Sequence, residues 1–182
     1  YHVVVMPDAN KEQTLNALVG AAFGAAGQRC MALSVAVMVG DSKQWIQELV
    51  EKAKTLKVNA GHEPNTDIGP VISKRAKARV IDLINSGVEQ GAELLLDGRN
   101  VQVQGYESGN FVGATIFSGV NTDMRIYKEE IFGPVLSIIC VDTLDEAIAL
   151  INANPFGNGV GLFTQSGAIA RTFRSEERRV GK

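Results

Sequence analysis

Apolar runs of strand length, alternating with amphipathic helical segments, predict an α/β domain with a largely parallel sheet flanked by helices. Two strand signals and one helical signal carry that expectation. His2-Val3-Val4-Val5 is a β-branched run, and residues 135–141 form a near-continuous apolar stretch suited to a strand buried on both faces. Between such runs, apolar side chains recur at helical spacing. At 182 residues the chain is one domain by length, large enough to bury a good core.

Taken in order, residues 2–6 read as a buried strand, and Pro7-Asp8-Ala9 ends it in a turn. Residues 11–26 place Leu15, Leu18, Val19, Ala22 and Phe23 at helical spacing, and Gly20, Gly24 and the alanines let that helix pack closely. Residues 35–39 are a second strand. Asp41 or Ser42 then caps a helix striped by Trp45, Ile46, Leu49, Val50 and Ala53. Residues 57–72, with Gly61, Pro64, Asn65, Asp67, Gly69 and Pro70, make a long connection, and long connections inside compact domains tend to be functional. Ser73 opens a helix that buries Val80, Leu83, Ile84 and Val88. Residues 94–96 form a short strand, followed by a polar hairpin region through Gly109 and a strand near 111–116.

A mixed segment at 126–132 ends at Gly133-Pro134, and 135–141 follows as a central strand that should keep Cys140 inert. Thr143-Leu144-Asp145-Glu146 matches a capping box, with Leu144, Ala147, Ile148 and Ile151 at helical spacing after it. Asn154-Pro155-Phe156-Gly157 turns the chain into a last strand at 160–164. No internal repeat is present.

Composition narrows the function. The chain is 45% hydrophobic and 21% charged, with a net charge of -2, so it lacks the basic footprint of a partner for nucleic acid or an anionic membrane. No apolar run approaches a membrane span, and no secretory signal is visible. Two cysteines make no disulfide framework and suit a reducing compartment. His2 and His62 are the only histidines, and the lack of any Cys/His cluster at ligand spacing argues against a metal site. Tyr1 leads straight into a strand, so the natural start is expected upstream. Residues 174–182, highly charged and without a core-facing period, read as a non-native tail or else as a solvated terminal helix.

The chemistry concentrates at Gly27-Gln28-Arg29-Cys30, between a helix and a strand. A thiol there can act as a nucleophile if dipoles or a cation such as Arg29 favour the thiolate. The local pattern alone leans toward a small buried hydrophobe. A Cys/His hydrolase would need a histidine to activate Cys30, and only His62 is available for that. Gly157-Asn158-Gly159-Val160-Gly161 is a turn entering a strand, since it lacks the strand before it and the helix after it that a nucleotide loop requires. Glu129-Glu130-Ile131-Phe132-Gly133-Pro134 sets two acids beside an aromatic at a Gly-Pro turn. It could bind sugar hydroxyls and a flat ring, or be a solvated strand edge.

Taken together, Gly27-Gln28-Arg29-Cys30, Asp67-Ile68-Gly69-Pro70 and Glu130-Ile131-Phe132-Gly133-Pro134 occur in the order that resembles the aldehyde dehydrogenase superfamily. The resemblance covers residues 1–173 as a catalytic domain of that type. The runs at 2–9 and 24–31, Asn154-Pro155-Phe156-Gly157-Asn158-Gly159 and Phe163-Thr164 look most like its CoA-acylating, semialdehyde-oxidising branch. One departure stands at Tyr1, where that branch usually has asparagine.

The resemblance implies that Cys30 is the nucleophile, passing from a thiohemiacetal to a thioester. It implies that Glu130 binds the nicotinamide ribose of NAD, and that Phe132 packs near the nicotinamide. The substrate would be malonate or methylmalonate semialdehyde, with CoA as co-substrate and acetyl-CoA or propionyl-CoA as product. A guanidinium at Arg29 could pair bidentately with the substrate carboxylate. Water-activating and dinucleotide-binding residues are expected upstream of Tyr1, and an oligomerisation strand beyond residue 173, so the chain alone should not oxidise an aldehyde. The parent enzyme is expected to be a homotetramer, in the mitochondrial matrix of a eukaryote or the cytoplasm of a bacterium.

Overall fold

The valine-rich strands β1 (His2–Val5) and β2 (Val35–Val39) are buried at every residue, because both faces of the sheet they share are covered. In the computed structural model, which describes residues 1–176, the other strands are β3 (Glu93–Leu96), β4 (Thr115–Ser118), β5 (Val135–Val141) and β6 (Val160–Phe163). The helices are α1 (Lys11–Phe23), α2 (Ile46–Lys54), α3 (Lys74–Glu89), the single turn α4 (Arg125–Lys128), α5 (Leu144–Ala153) and α6 (Gly167–Glu176). The six strands lie in the order β3-β4-β5-β2-β1-β6, and every pairing is parallel except β3 with β4.

His2 lies level with Val35 on one side and Val160 on the other, and Val35 lies level with Ser137. The segments entering β1, β2, β5 and β6 therefore converge at one end of the sheet. That convergence is the feature of the fold that matters most here.

Several elements match the sequence signals. Ser73 accepts a hydrogen bond from the Ala76 N–H at 3.1 Å, and Thr143 and Glu146 close a reciprocal capping box on α5. Others differ. Residues 24–26 do not continue α1, which ends at Phe23; Ala25 (φ 52°), Ala26 (φ 54°) and Gly27 (φ 68°) are left-handed instead. Neither Asp41 nor Ser42 caps α2. A 3₁₀ turn over Gly40–Trp45 precedes it, and the buried Ser42 hydroxyl lies 3.0 Å from the Val5 carbonyl and 2.9 Å from that of Val39.

Val88 is 42% exposed, and α3 instead presents Gly87 to the core. A Cβ there would meet Ile126 and Phe117 at 3.0 Å. Phe111 and Val112 are buried as apolar filling outside any ladder, so the strand begins at Thr115. The 57–72 connection has internal order: Val58 bridges Ile68, and Asp67 accepts from the Lys57 N–H at 2.8 Å. Cys140 is exposed, because the burial of β5 breaks off over its last two residues. Arg174, Ser175 and Glu176 continue α6, and the Asn152 side chain donates to the Glu176 carbonyl at 2.9 Å; the rest of the predicted tail lies outside the described residues. No described helix is long and apolar enough to cross a membrane.

Candidate active site

The turn from Gly27 to Cys30 is shaped by what it touches. Gly27 lies so close to the turn before β5 that an added Cβ would be 2.1 Å from the Gly133 carbonyl oxygen, so two backbones meet there with no side chain between them. Gly133 is in turn packed on Val80 of α3. The Asn158 side-chain amide, from the loop before β6, donates to the Cys30 carbonyl. Cys30 itself is exposed, which rules out the buried-hydrophobe alternative.

In the cleft that Cys30 lines, the Glu129–Pro134 stretch separates its two acids by their contacts. Glu129 is held by Arg125 at 2.8 Å and lies 3.8 Å from Arg79. Its carboxyl is pushed below the usual range, chiefly by the Arg125 hydrogen bond. Arg79 also donates to the Ile131 carbonyl at 2.9 Å, tying the turn to α3. Glu130 has no hydrogen-bond or ion-pair partner among the described residues and lines the cleft. Phe132 is left-handed at φ 54° and 41% exposed, a conformation that costs an L-residue about 1–2 kcal/mol and persists only when its surroundings impose it.

Cys30, Arg29, Glu130 and Phe132 line one cleft of about 350 Å³, so the structure brings all four predicted site residues together. Arg29 departs from expectation in detail. Its Nη2 donates to the Gly20 carbonyl at 2.8 Å and the Ala21 carbonyl at 3.1 Å, closing the C-terminal end of α1 over Gly24. Nη2 belongs to both two-pronged faces of a guanidinium, so as placed Arg29 can offer a carboxylate single bonds from Nε or Nη1 but not a fork. His62 does not line the cleft. It bonds the Tyr106 hydroxyl at 2.8 Å, so it is not the base that a Cys/His pairing with Cys30 needs.

Three contributors escaped the sequence reading as functional. His2, buried in the cleft wall, lies 3.3 Å from the Tyr127 hydroxyl and meets that ring edge-on. Asn158 holds the Cys30 carbonyl. Gln28 bonds two segments distant in sequence. A lone amide carries no periodic signal; only their places inside motifs marked Gln28 and Asn158.

An exposed thiol lining one cleft with an unpaired acid and a half-exposed aromatic ring suits an enzyme that works through cysteine on a bound planar, hydroxyl-bearing group. The chain belongs to the aldehyde dehydrogenase family, whose pattern matches residues 1–182. It is 64% identical over 172 residues to the mitochondrial, acylating methylmalonate-semialdehyde/malonate-semialdehyde dehydrogenase of Rattus norvegicus, covering 94% of this chain and 32% of that protein. A structure from Sinorhizobium meliloti, complexed with NAD, superposes with a TM-score of 0.94 at 46% identity, over 97% of this chain and 36% of the other. Methylmalonate-semialdehyde dehydrogenase from Oceanimonas doudoroffii superposes with a TM-score of 0.93 at 44% identity, over 97% and 36%. The chain thus spans about a third of the length of the relatives it matches.

Proposed function

We propose that this chain is the catalytic segment of an NAD-dependent, CoA-acylating dehydrogenase. It would oxidise malonate or methylmalonate semialdehyde to acetyl-CoA or propionyl-CoA, CO₂ and NADH. The observation that carries the reading is the convergence of Cys30, Glu130 and Phe132 on one cleft. Similarity to the acylating enzymes adds the substrate and the acceptor.

The residues present fit the nicotinamide end of the cofactor. Glu130 is an acceptor-only group left open for ribose hydroxyls, and Phe132 offers a flat exposed face. Cys30 Sγ attacks the aldehyde carbon, and the Cys30 N–H donates to the resulting oxyanion. A donor of this kind is typically worth about 2.7–4 kcal/mol. When bound, NAD supplies the hydride acceptor, and oxidation leaves a thioester on Cys30. A carboxylate β to that thioester can leave as CO₂, its electron pair taken up by the thioester carbonyl and the carbon then protonated. Attack by the CoA thiolate transfers the acyl group and returns the Cys30 thiolate.

Full-length enzyme given semialdehyde, NAD and CoA should form an acyl-CoA, and Cys30→Ser should lower that rate by a factor on the order of 10³ or more. Free acid formed at the same rate with or without CoA would instead assign the hydrolytic branch. Arg29 is proposed to select acidic aldehydes through a single charge-assisted bond. Arg29→Leu should then raise KM for malonate semialdehyde about tenfold more than for propanal; equal losses on both would leave Arg29 only its role on α1. The parent enzyme is further proposed to be a homotetramer, mitochondrial in a eukaryote and cytoplasmic in a bacterium.

A further inference from the structure

We infer that Gln28 is a positioning residue that fixes the cofactor-facing turn relative to the nucleophile turn. It does so by spending the two ends of one amide on two different segments. The inference rests on the reading of Phe132 as the ring that faces nicotinamide.

Gln28 Nε2 donates to the Phe132 carbonyl at 3.2 Å, 104 residues away. Its Oε1 accepts from the Ile72 N–H at 2.8 Å, 44 residues away. Gln28 does not line the cleft, although both its neighbours Gly27 and Arg29 do, so it acts through other residues. Ile72 immediately precedes Ser73, the cap of α3. From α3, Arg79 donates to the Ile131 carbonyl and Val80 packs on Gly133. The contacts therefore close a ring: nucleophile turn, Ile72, α3, the turn before β5, Phe132 and back to Gln28.

Phe132 sits in that ring in a left-handed conformation its own side chain disfavours. The bond from Gln28 pins the carbonyl of that very residue. The role needs a donor and an acceptor on one short side chain. Glutamate keeps the acceptor for Ile72 but has no hydrogen for Phe132, and it sets a charge against a carbonyl. Methionine keeps neither.

The test compares Gln28→Glu and Gln28→Met in the full-length enzyme. The readouts are NAD affinity from quenching of protein fluorescence, pre-steady-state hydride transfer, and hydrogen exchange at the Ile72 amide. Gln28→Glu should weaken NAD binding and slow hydride transfer each by a factor on the order of ten, since small misplacements at a reacting centre are costly. It should leave Ile72 protected and KM for the aldehyde within about twofold. Gln28→Met should show the same cofactor defect and also release the Ile72 amide to exchange.

Wild-type NAD affinity and hydride transfer in Gln28→Glu would overturn the inference while leaving the functional reading intact. A cofactor defect in both variants that only tracked a fall in melting temperature would overturn it too, by reducing Gln28 to a structural residue. Wild-type enzyme that failed to bind NAD at all would remove the functional reading first, and this inference with it.

Discussion

The two ends of the parallel sheet are closed by different means. At the carboxyl ends of the strands, short polar side chains satisfy nearby backbone: Ser42 reaches the Val5 and Val39 carbonyls, and Glu146 accepts from the Asp142 and Thr143 N–H groups at 2.7 and 3.1 Å. The left-handed residues there are glycines, Gly40 (φ 55°) after β2, Gly119 (φ 63°) after β4 and Gly91 (φ 89°) before the antiparallel β3, which carry no Cβ penalty. At the amino ends, Ala25, Ala26 and Phe132 are left-handed without being glycine, and Gly27 meets Gly133 backbone to backbone. Ordinary capping chemistry is enough where the sheet only has to end. Conformational cost accumulates at the end where Cys30, Glu130 and Phe132 line one cleft. Ligands of open α/β sheets commonly sit at the carboxyl ends of the strands; this cleft lies at the opposite end.

Alanine at one left-handed glycine from each end, Gly40 and Gly27, is the sharpest way to break that comparison. A Cβ on Gly40 would lie 3.6 Å from its nearest neighbours, an ordinary contact, so Gly40→Ala should cost about 1 kcal/mol from backbone strain alone. A Cβ on Gly27 cannot be placed without moving Gly133, so Gly27→Ala should cost about 3 kcal/mol or more and disable the site. Urea midpoints for the two variants would read the difference. Similar losses would mean that the two ends are equally tolerant.

The two thiols give the next contrast, since one lies at each end. Both are exposed, which overturns the expectation that the sheet keeps Cys140 inert by burial. Partial desolvation nevertheless pushes the Cys140 thiol above its usual pKa, with Lys43 opposing. At a given pH less of it is thiolate, so its alkylation should be slow at pH 7 and rise as pH climbs toward the raised value. Iodoacetamide at pH 7, followed by peptide mapping, should label Cys30 about tenfold faster than Cys140. Equal rates would remove the distinction.

The smallest effect belongs to the carboxyl end. Thr143→Ala removes the hydroxyl that accepts from the Glu146 N–H at 3.2 Å and should cost about 1 kcal/mol. Cys30 labelling should stay unchanged; a change there would show that the two ends communicate.

What the sequence made legible follows the same division. The strand at 35–39 and the Thr143 capping box were readable because burial and capping leave local, periodic marks. Residues 24–26 were misread as helix because alanine favours helix, whereas here Arg29 caps the Gly20 and Ala21 carbonyls and the chain must turn to reach Gly133. The sequence pattern near 111–116 starts a strand earlier than the ladder does, because burial of Phe111 and Val112 resembles strand patterning without any pairing. Cys30, Glu130 and Phe132 could be picked out as motif residues. Their arrangement could not, since it depends on Gln28 and Asn158 contacts spanning 44 to 128 residues.

Phe132 carries one more consequence. Its backbone geometry is the kind glycine adopts freely, and its ring, 41% exposed, contributes little to the core. A library screened only for heat resistance should therefore drift toward glycine at this position, and the hardiest clones would be those that had lost the ring proposed to face the nicotinamide.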